Sequence, residues 1–257
     1  MDRLRFDNIS FGYGDRTLFE GLSLDIKKAR ITSIIGPNGC GKSSLLKLAS
    51  AIHKPWEGEI SVFERKVGEL RPKQRAQLIG HLSQEHSMPP MSVRKLIECG
   101  RHPHQGPFAQ MDTSDKEIVE EALSTCGLSA LAERPVPELS GGQRQRAFIA
   151  MIVAQDAPVM LLDEPTSFLD VSACYEVMDL MRLLRDKHGK TIVTVLHDID
   201  MALRYSDEIC VMREGRLLAQ GTPHDHDVLD GIEAAFDVRI EHLHGRLGSA
   251  YALFSQA

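Results

Sequence analysis

A glycine-rich loop that ends in a lysine and a serine is the first chemically suggestive feature of this 257-residue sequence. Residues 36–43 read GPNGCGKS and fit the phosphate-binding pattern G-x-x-x-x-G-K-[ST]. The glycines let the backbone wrap phosphates with its N–H groups pointing inward, and the following helix adds its positive N-terminal end. Lys42 supplies a charge for the β- and γ-phosphates, and the Ser43 hydroxyl can ligate Mg²⁺. The residues predicted to bind the phosphates are Gly36, Pro37, Asn38, Gly39, Cys40, Gly41, Lys42, Ser43 and Ser44.

Two carboxylates follow the apolar run VMLL at residues 159–162. If this run is a parallel strand, Asp163 lies at its carboxyl end, where ligands of α/β sheets bind. Asp163 can then hold the Mg²⁺ shell, and Glu164 is placed to orient or deprotonate the attacking water. A solvated strand end is the alternative, and the phosphate loop in the same chain argues against it.

A second anion-binding pattern lies between these two motifs. Residues 139–143 read LSGGQ, and a serine with two glycines opening a helix can bind an anion. Here the sequence resembles the ABC ATPase family, whose signature is this pentapeptide just upstream of the acidic strand. Only the first anion site has a lysine and a magnesium ligand, so a simple interpretation is that each ATP is shared between two subunits. The resemblance implies a head-to-tail homodimer that sandwiches two ATP molecules, with contacts from Ser140, Gly141, Gly142 and Gln143.

The resemblance also assigns roles to residues that mean little alone. Gln84 matches the glutamine that senses Mg²⁺ and the attacking water, His197 the histidine that contacts the γ-phosphate, and Tyr13 the aromatic that stacks on adenine. Residues 167–170 (SFLD) match the loop that touches the partner subunit, and this includes Asp170. A histidine at a strand end is usually structural and a tyrosine between glycines usually lies in a turn, so only their order and context carry the assignment. The predicted catalytic residues are Glu164, His197 and Gln84, and the predicted metal ligands are Ser43, Gln84 and Asp163.

The elements that must position these residues can be placed from periodicity. Residues 1–30 show β-structure, and further on short apolar runs alternate with helical spacing, which predicts a parallel sheet. Together with the resemblance, this predicts an α/β fold of the P-loop NTPase type: one ABC ATPase domain over 1–257, with an N-terminal antiparallel β part, a helical signature insert at about 85–155 and a C-terminal extension at 224–257. Helices are predicted at 43–52, 92–99, 114–126, 142–155 and 172–188, and buried strands at 31–35, 159–162 and 191–196.

Charge, hydropathy and cysteine content restrict the partners and the cellular compartment that this chemistry can have. The formal net charge of −6 gives no reason to expect nucleic acid as a partner. No window reaches the roughly 18 apolar residues that a spanning helix needs, and the N-terminus lacks a secretory signal. The five cysteines are widely spaced and are predicted to be reduced, mostly structural thiols. With no spanning helix in the sequence, the resemblance to the ABC ATPases implies a peripheral subunit at the cytoplasmic face of the inner membrane, attached through a separate permease.

The branch of the family is indicated by residues 100–104 (GRHPH), together with 39–41 and 143–150. These resemble the ATPases of ferric-siderophore, haem and cobalamin importers, and most of all the ferric-siderophore group. The resemblance implies uptake of a ferric siderophore through permease subunits, with a periplasmic or extracellular binding protein acting indirectly. The alternatives are a haem, cobalamin or metal-ion importer and, more remotely, a soluble ABC ATPase that acts on nucleic acid. Intact Lys42, Glu164 and His197 argue against an ATP-binding scaffold without hydrolysis.

Two further segments suggest possible binding sites, one for a permease helix and one for a metal ion. Residues 84–108 connect Gln84 to the helical insert, and the apolar stretch 88–91 (MPPM) suits a groove for a permease helix better than a solvated loop. Packing against the subunit's own core is the alternative. In the C-terminal region, H-x-H spacing at His224 and His226 and at His242 and His244 could indicate a metal site. We favour a solvated segment, because no cysteine lies near.

Overall fold

The computed structural model describes residues 3–84, 88–106, 110–245 and 248–255. The chain separates into two compact units, one formed by residues 1–69 and 191–257 and the other by residues 70–190. No helix in the described ranges combines the length and the apolar character needed to cross a membrane.

The strands and helices follow one another along the chain as follows. The strands are β1 (Arg3–Tyr13), β2 (Arg16–Lys27), β3 (Ile31–Ile35), β4 (Glu57–Val62), β5 (Arg65–Lys66), β6 (Ile79–Leu82), β7 (Val159–Asp163), β8 (Thr191–Val195), β9 (Glu208–Arg213), β10 (Arg216–Gly221), β11 (Val238–Gly245) and β12 (Gly248–Ser255). The helices are α1 (Lys42–Ala49), α2 (Pro72–Ala76), α3 (Val93–Cys99), α4 (Thr113–Thr125), α5 (Gly141–Ala154), α6 (Val171–His188), α7 (Ile199–Tyr205) and α8 (His226–Phe236).

The first unit contains the antiparallel sheet that the sequence predicts at the N-terminus. Its strands lie in the order β2-β1-β4-β5, and every pairing in it is antiparallel. In β2 the apolar residues Leu22, Leu24 and Ile26 are buried while their neighbours are more exposed. This alternation buries one face of the strand, as the period of two requires.

The first unit also contains parallel strands. β3 pairs in parallel with β8 on one side and with β9 on the other, and β10 joins β9 in antiparallel register. All five residues of β3 and of β8 are buried, and each strand combines three aliphatic residues with two small hydroxyl residues. Burial along the whole strand is typical of parallel strands covered on both faces. Because Ile34 pairs with Val195, the carboxyl ends of β3 and β8 lie at the same edge of the sheet.

The second unit is mostly helical around the parallel pair β6 and β7, in which Leu82 pairs with Leu162. Helices α3, α4 and α5 pack on one another, and α5 also packs on α6. Helix α6 begins after Asp170, whose side chain accepts a hydrogen bond from the Ala173 N–H, and ends at Gly189 with a φ of 60°. An aspartate N-cap and a left-handed glycine are common helix boundaries.

The helix boundaries differ from the predicted ones by a few residues. The largest difference is at α1, which is predicted to reach residue 52 but ends at Ala49. Ala51 has a φ of 51°, which is incompatible with a continuing right-handed helix, and the Ser50 hydroxyl donates to the Leu46 carbonyl. The left-handed backbone at Ala51 therefore ends the helix before the proline at position 55.

The segment after Pro223 forms a helix and a hairpin, and His224, His226 and His242 are exposed, in agreement with the solvated segment that the sequence favoured. In α8 the residues Val228, Ile232 and Ala235 are buried at helical spacing. His224 Nδ1 lies 2.7 Å from the Tyr251 hydroxyl, and the His242 ring stacks on Tyr251 at 4.6 Å. These two imidazoles thus contact a tyrosine, and no group of three or more histidine, cysteine or acidic residues within the described ranges could hold a metal ion.

Candidate active site

The phosphate loop of the first unit lies between β3 and α1, as its motif predicts. Gly39 and Gly41 have φ angles of 80° and 107°, which side chains disfavour. A Cβ at Gly41 would also lie 2.5 Å from the Phe19 ring. At Gly36 a Cβ would lie 2.1 Å from the Met212 carbonyl oxygen, so the loop lies directly against β9. The glycines are therefore required both by the turn and by the packing behind it.

Lys42 is buried at the start of α1 and points back into its own loop. Its Nζ donates to the carbonyl oxygens of Gly36 at 2.7 Å and of Pro37 at 3.0 Å. Helix α1 has no side-chain cap and no acidic residue in its first turn, so its N-terminal N–H groups favour an anion. Burial raises the pKa of the Cys40 thiol, and the Lys42 charge opposes this shift. Cys40 thus fills the loop as a neutral, small side chain.

Tyr13 lies over the beginning of α1 in the same unit. Its hydroxyl is 3.1 Å from Ser44 Oγ, and its half-exposed ring contacts Phe11 edge-on at 5.1 Å. His53 stands edge-on to Tyr13 at 5.5 Å and stacks on Phe11 at 5.4 Å. The sequence prediction missed this support, because His53 comes from a loop 40 residues further along the chain and no local pattern marks it. An exposed aromatic ring with fixed neighbours is a suitable surface for stacking a base.

Two further features of the first unit border the phosphate loop. His197 follows β8, whose carboxyl end lies beside that of β3, so His197 and the loop share one edge of the sheet. A cavity of about 480 Å³ borders the first half of the loop. Arg16, Thr17 and Leu18 at the start of β2 line it, together with Arg213. This volume is in the range of small-molecule pockets.

In the second unit the two acidic residues lie where the sequence predicts them. Asp163 ends β7 and is 3% exposed, and Glu164 follows it with a φ of 53°. Gln84 Nε2 donates to Glu164 Oε2 at 2.6 Å, and Ser167 Oγ donates to the same oxygen at 2.9 Å. The parallel pairing of β6 and β7 explains this contact, because Gln84 and Glu164 both follow the carboxyl ends of adjacent strands. The Ser167 contact was not foreseen.

The signature residues of the second unit form the start of α5. Ser140 Oγ accepts from the Gln143 N–H at 3.3 Å, while Gln143 Oε1 accepts from the Ser140 N–H at 3.2 Å, which is a capping box. A Cβ at Gly142 would lie 2.7 Å from the Ala173 Cβ, so α5 and α6 touch at this point. The first turn carries no acidic residue. The arrangement leaves a helix end suited to an anion.

An open pocket of about 320 Å³ brings the signature residues together with the loop at residues 168–170. Arg146 and Glu176 lie at this pocket and pair at 3.0 Å. Phe168 is 99% exposed and has a φ of 63°. The structure thus groups the signature residues Ser140, Gly141, Gly142 and Gln143 with Asp170 in one place.

Comparison with known proteins decides the family. The sequence profile described as ABC transporter matches residues 19–167. The chain belongs to the ABC transporter family. It is the ATP-hydrolysing subunit type of that family, and its mixed α/β fold with an antiparallel β part and helices is the ABC ATPase fold.

Several relatives of this ABC ATPase are iron-import subunits. The ferric enterobactin transport ATP-binding protein FepC of Escherichia coli (strain K12) is 40% identical over 92% of this chain and 88% of its own. The iron(3+)-hydroxamate import ATP-binding protein FhuC of Bacillus subtilis (strain 168) is 36% identical over 94% of this chain and 90% of its own. Among solved structures, a dimeric ATP-binding cassette in a post-hydrolysis state with ADP and Pi superposes with a TM-score of 0.74 at 28% identity, over 86% of this chain and 99% of the other.

Replacing Lys42 tests the phosphate loop. Lys42→Ala removes a cation from a buried position and should weaken ATP binding about tenfold to a hundredfold, since hydrogen bonds to charged groups contribute about 1.5–3 kcal/mol. Lys47→Ala, in the same helix but outside the motif, is the matched control. Isothermal titration with ATP measures both. Equal affinities for the two variants would remove Lys42 from the site.

Proposed function

We propose that this ABC ATPase energises the import of a ferric siderophore, as a head-to-tail homodimer at the cytoplasmic face of the inner membrane beneath separate permease subunits. The observation that carries the proposal is the similarity to FepC and FhuC over more than nine-tenths of this chain. A periplasmic or extracellular binding protein delivers the cargo to the permease and acts on this subunit indirectly. Haem, cobalamin and metal ions remain the alternative cargoes.

Within this function, the phosphate loop holds ATP and Tyr13 stacks on its base. The proposed magnesium ligands Ser43, Gln84 and Asp163 all offer oxygen atoms, the donor type that Mg²⁺ prefers. Such sites use one or two carboxylates together with substrate phosphates, so a single aspartate fits. When bound, the ion neutralises charge on the phosphates.

Glu164 is the proposed general base for the attacking water, and His197 contacts the γ-phosphate. The hydrogen bonds from Gln84 and Ser167 to one carboxylate oxygen support this role, because they restrict the rotation of the Glu164 side chain. Gln84 is also the proposed sensor of Mg²⁺ and of the attacking water, because its side-chain amide contacts Glu164, the proposed base, directly. Ser140, Gly141, Gly142 and Gln143 then contact the ATP held by the other subunit, beside Asp170.

The Glu164→Gln variant tests the base. The amide keeps the size and the hydrogen-bonding capacity of the side chain but cannot accept the proton, so turnover should fall about a hundredfold or more. ATP binding should persist, and the ATP-bound dimer should accumulate. Glu117→Gln, an exposed glutamate of α4, is the control for a simple change of charge. Phosphate release and size-exclusion chromatography provide the readouts, and turnover at the wild-type rate would rule out Glu164 as the base.

Mixing two inactive variants tests whether the sites are shared. Gly142→Asp adds a side chain and a negative charge at a position where even a Cβ would lie 2.7 Å from the Ala173 Cβ. The variant should therefore inactivate the signature. A mixed dimer of Lys42→Ala and Gly142→Asp contains one site with both defects and one with neither. Activity should therefore return on mixing.

The control for the mixing experiment is Lys42→Ala combined with the Lys42→Ala, Gly142→Asp double variant. No site in that dimer is intact, so it should stay inactive. If mixed dimers are demonstrated and Lys42→Ala with Gly142→Asp recovers nothing, each ATP is bound within one subunit.

Uptake by the intact complex tests the cargo. The complex should be purified from membranes with its permease, reconstituted in liposomes with its binding protein, and supplied with ferric catecholates, ferric hydroxamates, haem, cobalamin and free metal ions. ATP-dependent uptake of a ferric siderophore is expected, and the Glu164→Gln complex should transport none. Uptake confined to haem, cobalamin or a metal ion would replace the siderophore as cargo.

The same assay tests the proposed dock for a permease helix at residues 84–108, of which 85–87 and 107–108 lie outside the described residues. Met88 is 56% exposed, and the Arg144 guanidinium donates to its sulfur at 3.1 Å. An exposed methionine suits an adaptable apolar contact. Met88→Lys should reduce uptake while the ATPase rate of the isolated subunit is unchanged, and Met88→Leu should be neutral. Normal uptake with Met88→Lys would place the dock elsewhere.

A further inference from the structure

Residues 100–104 indicate a branch of the family by resemblance, yet the active-site proposals give no part to them or to the adjoining Gln105. In the structure this segment directly follows α3 and packs on the last turn of α5. A Cβ at Gly100 would lie 2.2 Å from the Met151 carbonyl oxygen and 3.0 Å from the Gln155 N. Only glycine permits this approach, so the segment and the carboxyl end of α5 are in direct backbone contact.

Arg101 carries the strongest contact of the segment. Its guanidinium is buried, and Nε donates to Asp115 Oδ1 at 2.8 Å while Nη1 donates to the Ala154 carbonyl at 2.8 Å. Burial raises the pKa of Asp115, but the hydrogen bonds from Arg101 and Gln105 outweigh it, so the pKa is lowered overall. Asp115 therefore stays ionised, and a charged pair joins α4 to the end of α5.

His104 makes a second contact with the same helix end. Its Nε2 donates to the Gln155 carbonyl at 2.8 Å. The Gln155 side chain in turn donates to the carbonyls of Ala76 at 2.5 Å and Ile79 at 3.1 Å. The last carbonyls of a helix lack partners within it, and donors placed there fix its end. Two side chains of one short segment thus hold the carboxyl end of α5.

The opposite, amino-terminal end of α5 carries the signature residues. The helix runs for 14 residues from Gly141 to Ala154, which is a length of about 21 Å. Most residues of its second half are buried, so the helix is held along its length. A displacement at one end of a packed helix is transmitted to the other.

We propose that Arg101 and His104 are positioning residues for the shared ATP site: they fix the signature helix from its carboxyl end, so that the segment 88–106 sets the position of Ser140 and Gly142. This inference rests on the proposed sharing of ATP between subunits. The proposed dock at residues 84–108 is then connected to the nucleotide in two ways, through α5 and through Gln84. Neither residue touches the substrate, so neither is catalytic.

The test uses the isolated Glu164→Gln protein, in which ATP should drive dimerisation, with ATP and ADP as probes. His104→Ala removes a donor from an exposed position and should leave the fold intact. It should raise the ATP concentration for half-maximal dimerisation about twofold to thirtyfold, the range of typical coupling energies. The affinity for ADP should be unchanged, because ADP lacks the phosphate that the signature contacts.

Three further variants make the comparison specific. His102→Ala changes an exposed neighbour whose side chain has no hydrogen bond or ion pair with the described residues, and it should behave as the parent. His104→Gln keeps an N–H donor and should restore much of the dimerisation. Arg101→Lys keeps the charge near Asp115 but lacks the fork that also reaches Ala154, so it should resemble His104→Ala.

The outcomes separate this inference from the function on which it rests. If the Glu164→Gln parent fails to dimerise with ATP, the shared site is wrong and the inference falls with it. If the parent dimerises and His104→Ala and Arg101→Lys match it, the sharing stands and the positioning role is overturned. Weaker binding of ADP or a lower melting temperature in His104→Ala would equally overturn it, since that would show a general role in folding.

Discussion

The backbone of the phosphate loop passes so close to its neighbours that side chains have no room at several of its positions. Gly36 lies against the carbonyl of Met212 and Gly41 against the ring of Phe19. This contact fixes the path between β3 and α1, and therefore the direction in which Lys42 and the first N–H groups of α1 point. The position of Tyr13 follows from it as well, through the hydroxyl contact with Ser44 on the same helix.

In the second unit, the proposed catalytic base is a residue with a strained backbone held by polar contacts. Glu164 has a positive φ, which costs about 1–3 kcal/mol for residues other than glycine. The turn places its carboxylate within reach of both Gln84 and Ser167. Strain of this kind persists only where surrounding structure over-determines it, and here the buried strand β7 and the start of α6 enclose the turn.

The two ends of α5, the signature helix, differ in the charge that they favour. Its amino end carries no acidic residue and presents a capping box, which favours a phosphate. Its carboxyl end meets the guanidinium of Arg101, which suits the negative end of the helix dipole. The same helix is thus prepared for an anion at one end and anchored by a cation at the other.

The sequence by itself determined the chemistry and the order of the elements. The motif at 36–43, the acidic pair at 163–164 and the signature at 139–143 are local patterns, and local patterns need only propensity and spacing to be recognised. The β-structure of the N-terminal part and the helices of the insert followed from periodicity in the same way, with ends displaced by a few residues, whereas the antiparallel pairing was expected from the family resemblance.

Only the tertiary structure decided which distant residues meet. The contacts of His53 with Tyr13, and of Arg101 and His104 with the end of α5, depend on packing between segments many residues apart. The folding of the C-terminal segment around Tyr251 belongs to the same class, because its histidines look like a ligand pattern until their neighbours are known. Periodicity reports which face of an element is buried, but not which neighbour covers it, and for that reason these contacts required the structure.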